Sequence, residues 1–227
     1  SKKEQELDKR IESGKPEELA TLIYTSGTTG DPKGVMLTHA NMCSQFIAID
    51  KHFDVDSSDS SLCFLPLSHA YERTWSNYVF RQGAENNYMA NQKEIVAYLS
   101  EVKPSCMVSV PRLYEKIYAT VHDGVEKAGG IKKKLFNWAF ETGKKYAYKK
   151  KDKAFVGPLL AVKHALADKL VLSKLRDVVG GYKKFFSAGG AALSKDIEEF
   201  FFACGVLVCQ GYGLTETSPF ITLLPME

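Results

Sequence analysis

The sequence predicts an α/β fold, a doubly wound and mostly parallel sheet flanked by helices and interrupted by one basic helical insertion. Short strand-like runs at residues 62–65, 85–89, 106–110, 183–187 and 206–209 alternate with helical patterns, which is the spacing of βαβ units. The runs at 183–187 and 206–209, and another at 19–24, open into glycine-rich turns, where open α/β sheets bind ligands. Residues 129–181, bracketed by Gly129-Gly130 and Gly180-Gly181, show helical periodicity and no strand signal.

Taken in order, residues 1–18 form a charged leader, either a short helix or unstructured, that Pro16 closes. A domain over residues 19–227 follows. Its first run, residues 19–24, is apolar and β-branched enough for a strand buried on both faces. Thr38 is placed to cap a helix over about 40–52, and residues 54–61 make a polar turn. Pro66 closes the next strand, and a helix is expected over 69–81. An amphipathic helix over 93–102 stops before Pro104, and Pro111 fits the first turn of a helix reaching toward Lys127. In the insertion, Lys132, Lys133, Lys134, Lys144, Lys145, Lys149, Lys150, Lys151 and Lys153 are interleaved with Phe136, Trp138, Phe140, Tyr146 and Tyr148. That pattern reads either as a solvated helix face or as a basic, aromatic surface that meets anionic lipid headgroups. Ser194 is placed to cap a helix to Cys204, with Asp196, Glu198 and Glu199 near its positive end.

The 227 residues are 44% hydrophobic and 25% charged, the balance of a globular chain with one substantial core or two small ones. A net charge of +3 is too weak to imply nucleic acid, and no nucleic-acid-binding module accompanies the lysines. Cys43, Cys63, Cys106, Cys204 and Cys209 are odd in number, lack a C-x-x-C pair and mostly sit in apolar runs. They point to buried thiols in a reducing cytoplasm. No apolar run approaches the roughly 18 residues that span a bilayer, which leaves room for contact with the inner face of a membrane. The abrupt polar opening and the stop at Pro225-Met226-Glu227 read as a piece of a longer protein.

The stretch Thr25-Ser26-Gly27-Thr28-Thr29-Gly30-Asp31-Pro32-Lys33-Gly34 alternates hydroxyls with glycines and carries one lysine. Glycines let a backbone approach a ligand closely, and hydroxyls with free N–H groups suit phosphate oxygens. It does not fit G-x-x-x-x-G-K-[ST], because Pro32 precedes the lysine and Gly34 stands where Ser or Thr would bind magnesium. At the end of the last run, Gln210-Gly211-Tyr212-Gly213-Leu214-Thr215-Glu216 offers a ring for a planar base, a hydroxyl and a carboxylate. Alone, it also reads as a tight turn with an exposed acid. Ser187-Ala188-Gly189-Gly190-Ala191 reads by itself as a strand-to-helix turn, and His69 in Leu65-Pro66-Leu67-Ser68-His69-Ala70-Tyr71-Glu72-Arg73 as a structural residue.

Together these runs resemble the adenylate-forming (AMP-binding) superfamily. The pattern L-P-L-S-H-x-x-E-R, the run Val110 to Ile117 and the run Leu172 to Arg176 with Gly180-Gly181 are similar to its long-chain fatty acid–CoA ligase branch. The resemblance covers about residues 19–224. It implies that Thr25, Ser26, Gly27, Thr28, Thr29, Gly30 and Lys33 hold the phosphates of ATP. It places Gly189, Gly190, Ala191, Gln210, Gly211, Tyr212 and Gly213 around adenine, Thr215 on the α-phosphate, Glu216 and Thr28 on magnesium, and His69 in the acyl pocket. Lys33, Thr215 and Glu216 are the residues it assigns to catalysis. The implied activity joins a fatty acid to coenzyme A through an acyl-adenylate, with ATP and Mg2+. The alternatives are a nucleotide-binding module without ligase activity and a membrane-tethering scaffold. The family's ribose, hinge and closing-lysine motifs, which normally lie downstream, are not found in these residues, and the mobile C-terminal domain that supplies the closing lysine is expected to be absent. The chain alone is therefore expected to turn over little and to self-associate through uncovered apolar surface.

Overall fold

The computed structural model describes residues 2–26, 30–181 and 183–223. Helix α1 (Lys2–Ser13) is fully solvated and stops before Pro16. Strands β1 (Leu19–Thr25) and β2 (Lys33–Thr38) pair antiparallel, with Thr25 opposite Lys33. The expectation that the first strand is buried on both faces is not met. Only Ile23 of β1 is buried, while Leu22, Tyr24 and Met36 face outward. The hairpin makes its own two-stranded sheet, so its pleat presents one face to Ala70 and leaves the other uncovered by this chain.

Helix α2 (His39–Asp50) begins at a capping box. Thr38 Oγ1 accepts from the Asn41 N–H at 3.2 Å, and the Asn41 side chain accepts from the Thr38 N–H at 3.0 Å. Strand β3 (Ser60–Cys63), helix α3 (Ala70–Arg81) and strand β4 (Glu85–Tyr88) form a parallel βαβ unit. The strand stops earlier than the apolar run suggests, because the Leu65 N–H turns to donate to the Glu72 carboxylate at 3.2 Å. Helix α4 (Ile95–Val102) follows a 3-10 turn, strand β5 (Cys106–Ser109) is fully buried, and Pro111 opens helix α5 (Pro111–Ala128).

The insertion holds helices and no strand among its described residues, with a loop over residues 152–157. It consists of α6 (Gly130–Lys151), α7 (Pro158–Ala167), a π-helical turn over Asp168–Leu172 and α8 (Ser173–Val178). Its end is a glycine cap in which the Gly181 N–H donates to the Arg176 carbonyl at 2.9 Å, with φ of 88° at Gly180 and Gly181. Strand β6 (Phe185–Ala188), helix α9 (Lys195–Ala203) and strands β7 (Val208–Gly213) and β8 (Phe220–Leu223) complete the chain. Ser194 stands at the N-cap of α9, but its side chain makes no capping bond.

Strands β5, β6 and β7 run parallel and β8 returns antiparallel. The β3–β4 pair adjoins β5 through the Ser105 N–H to Ser60 carbonyl bond of 2.9 Å. Alternation along the strands divides the core. Met107, Phe186 and Val208 face helices α4, α5, α6 and α9, whereas Cys106, Val108, Phe185 and Cys209 face α2 and α3. Phe185 stacks on Phe53 with ring centroids 3.9 Å apart. A sheet covered on both faces explains why its strands read as unbroken apolar runs.

Helix α6 lies against α9 at a point where no side chain fits. A Cβ placed on Gly143 would stand 2.4 Å from the Ala203 carbonyl oxygen and 2.9 Å from Leu172 Cδ1. Gly143→Ala is expected to lower stability by about 1–3 kcal/mol despite its better helix propensity. A denaturation midpoint equal to or above that of the parent chain would contradict this packing.

Candidate functional site

A cleft of about 460 Å³ opens at the end of β1 and is lined by Leu22–Ser26, Ser68, His69, Arg73 and Thr215. It joins three of the sequence motifs. Thr25 and Ser26 come from the end of β1, His69 from the N-cap of α3, and Thr215 from the 3-10 turn Thr215–Thr217, which lies against β2. Lys33 begins β2 directly opposite Thr25. Gly30 has φ of 104°, a conformation that only glycine adopts without strain. Gly27, Thr28 and Thr29 lie outside the described residues.

The spacing of Gly211 and Gly213 has a packing cause. A Cβ on Gly213 would fall 1.7 Å from the Pro219 carbonyl oxygen, and one on Gly211 would fall 2.9 Å from Leu223 Cδ2. The glycines let β8 cross close to β7, and Tyr212 between them is left exposed. The side chain of Gln210 is engaged within the fold, where it accepts from the Leu193 N–H at 3.1 Å and donates to Glu198 at 2.8 Å. Gly189 is bare for the Tyr71 ring, whose Cζ would meet a Cβ at 2.9 Å, while Gly190 and Ala191 are exposed past the end of β6. These residues sit at neighbouring strand ends and do not line the cleft itself.

Two functional candidates escaped the sequence reading. Arg73 enters the cleft wall with its Nε donating to the Leu67 carbonyl at 2.8 Å and its Nη1 to Thr21 Oγ1 on β1. It forms no ion pair with a carboxylate among the described residues, so its charge is available to an anion in the cleft. Glu72, fully buried, accepts from the Leu65 N–H and from Ser76 Oγ at 3.3 Å, fixing the loop that carries His69. Burial pushes its carboxyl up to about 7, partly offset by the hydrogen bonds it accepts. The available signal was helical period: Glu72 shares a buried stripe with Trp75, Ser76 and Val79.

Glu216 is exposed beside Thr215, and no cluster of three His, Cys, Asp or Glu occurs among the described residues. A lone carboxylate beside the cleft has the chemistry that would suit magnesium, which keeps several waters and is commonly held by one or two carboxylates and substrate phosphates.

The sequence model of the family described as AMP-binding enzyme matches residues 1–227. The chain is 38% identical over 208 residues to the peroxisomal long chain acyl-CoA synthetase 6 of Arabidopsis thaliana, covering 90% of this chain and 28% of that protein. It is 35% identical over 215 residues to the long-chain-fatty-acid–CoA ligase FadD15 of Mycobacterium bovis, covering 94% of this chain and 35% of that protein. The chain thus spans about a third of the length of these curated relatives. Among solved structures it is similar to the inhibitor-bound N-terminal domain of FACL13 from Mycobacterium tuberculosis. That match has a TM-score of 0.61 at 20% identity and covers 98% of this chain and 46% of the other.

The raised pKa of Glu72 gives a testable pH dependence. Its neutral form is favoured in the folded chain, so its contribution to stability is full below the usual carboxylate range and is lost as pH rises through about 7. Glu72→Gln should remove a loss on the order of 3 kcal/mol between about pH 4 and 8. Urea midpoints measured across that range check it, and an equal decline in parent and variant would assign the titration elsewhere.

Proposed function

The chain belongs to the AMP-binding enzyme family, and we propose that it is the nucleotide-binding core of a long-chain fatty acid–CoA ligase. The observation that carries this reading is the meeting of the β1–β2 phosphate-loop hairpin with Thr215 and His69 in one cleft. The names of the relatives, both long-chain acyl-CoA synthetases or ligases, support the acyl class.

A carboxylate is a poor acyl donor at neutral pH. The proposed chemistry turns it into a mixed anhydride: the fatty carboxylate oxygen attacks the α-phosphorus of ATP and pyrophosphate departs. The coenzyme A sulfur then attacks the acyl carbon, and AMP leaves. The protein's part is to orient the groups and neutralise charge at phosphorus. Ser26 and Lys33, with Thr28 and Thr29, hold the departing pyrophosphate. Thr215 donates to the α-phosphate, and Arg73, which also lines the cleft, adds a second cation. Glu216 holds magnesium, which supplies further charge neutralisation when bound. His69 stands at the α3 side of the cleft, where the acyl carboxylate would enter.

The test uses the protein expressed from its complete gene, with a long-chain fatty acid, ATP and magnesium, and hydroxylamine to trap the adenylate. Lys33→Ala and Glu216→Ala should each reduce adenylate formation by about a hundredfold or more, as removal of one transition-state contact does. Trapping at the parent rate in both variants would remove these residues from the chemistry. Nucleotide binding without any adenylate would favour a binding module.

A further inference from the structure

The insertion carries a surface that the catalytic reading does not use. The aromatics interleaved with its lysines do not form it. Phe136 is buried, Tyr146 stacks on His164 with centroids 3.7 Å apart, and Tyr148 donates to Glu199 at 3.0 Å. The apolar outer surface belongs instead to α7 and the turn after it. Leu159, Val162, Leu166 and Leu170 are 69%, 60%, 51% and 46% exposed, and Phe155 in the preceding loop is 81% exposed. Their spacing of three, four and four residues sets them in one stripe, while Leu160, His164, Ala167 and Val171 turn inward. A helix apolar on both its inner and outer faces leaves a contiguous patch that water solvates poorly.

Charge flanks the stripe on both sides. Helical spacing sets Lys163 on one edge and Lys169 on the other, and the end of α6 adds Lys149, Lys150, Lys151 and Lys153. From residue 149 to 170 six lysines stand against two aspartates, and Asp168 is already held by Arg176 at 2.6 and 2.9 Å. None of these lysines forms an ion pair among the described residues. Lys149 Nζ donates to the Phe155 carbonyl at 3.2 Å and so holds the loop against the basic end of α6.

We infer that α7 is an interfacial helix, whose Phe155, Leu159, Val162, Leu166 and Leu170 enter the headgroup boundary of an anionic bilayer while the flanking lysines meet lipid phosphates. An apolar stripe edged by unpaired lysines matches a lipid surface, because long lysine stems can lie along the acyl boundary with their ammonium groups in water. No helix among the described residues is long and apolar enough to cross a membrane. Its use, bringing the enzyme to a bilayer-dissolved substrate, rests on the fatty-acid reading; the docking itself does not.

Sedimentation with sucrose-loaded vesicles tests it, using the protein from its complete gene without ATP or fatty acid, so that a failure of ligase activity cannot affect the outcome. The parent protein should sediment with phosphatidylcholine–phosphatidylglycerol vesicles and far less with phosphatidylcholine alone, and the bound fraction should fall as salt rises. Leu159→Ser with Leu166→Ser should weaken partitioning at least about tenfold, and Lys163→Glu with Lys169→Glu should abolish the preference for anionic lipid. Ile131→Ser, at the other end of α6, should change neither. In Leu166→Trp, the tryptophan emission should shift to the blue when anionic vesicles are added. Partitioning unchanged by the serine pair, or no shift in Leu166→Trp, would overturn the inference. A dimer that the serine pair converts to monomer, with no vesicle binding by the parent, would also overturn it and assign the stripe to a second copy of the chain.

Discussion

The first five residues of α3 (Ala70–Thr74) tie together β1, the 65–69 loop, β6 and the turn at Ser218, and the cleft depends on them. Tyr71 reaches β6, where its hydroxyl is 2.8 Å from Ser187 Oγ and its ring covers Gly189. Arg73 reaches β1 at Thr21 and the loop before α3 at Leu67. Thr74 Oγ1 donates to the Ser218 carbonyl at 3.2 Å, just past the Thr215 turn. Three segments far apart in sequence are thereby fixed to one short rigid element, which is how a cleft made of strand ends keeps its geometry. Glu72 anchors the same element inward on the backbone of Leu65, and its cost is a carboxyl held in an apolar setting.

The sheet supplies the second requirement, that the loops leave from neighbouring positions. Parallel strands place their carboxyl ends on one edge, so the turns after β6 and β7 open side by side. The glycines of the last motif then let β8 return against β7 and set Thr215–Thr217 against β2. Family membership and local packing account for the same residues in compatible ways: Gly211 and Gly213 are needed for the strand crossing, which in turn exposes Tyr212 where a planar base could stack.

Much of this was legible in the sequence. The two-faced burial of β5, β6 and β7 shows as unbroken apolar runs, and Thr38 and Pro111 marked their helix starts. The burial of β1 was misread because an apolar run reports what a strand could bury and not which element arrives to cover it. The lysines and aromatics of α6 fitted either a solvated face or a lipid-facing surface, and helical period turns most of the aromatics inward and leaves most of the lysines outside. Glu72 and Arg73 are adjacent charges, and which one faces the core is set by the packing of α3, not by either residue alone. The apolar outer face of α7 is visible only once the inner face is known to be occupied.

The proposed function requires that the β1–β2 hairpin and the Thr215 turn grip one nucleotide. A calorimetric double-mutant cycle tests this most directly: ATP with magnesium titrated into the parent protein, Lys33→Ala, Thr215→Ala and the double variant. If both residues act on the same phosphate chain, each single change weakens binding and the two together weaken it by a measurably non-additive amount, with a coupling of about 0.5–3 kcal/mol. Strictly additive losses, or a parent affinity untouched by either change, would contradict a shared nucleotide site.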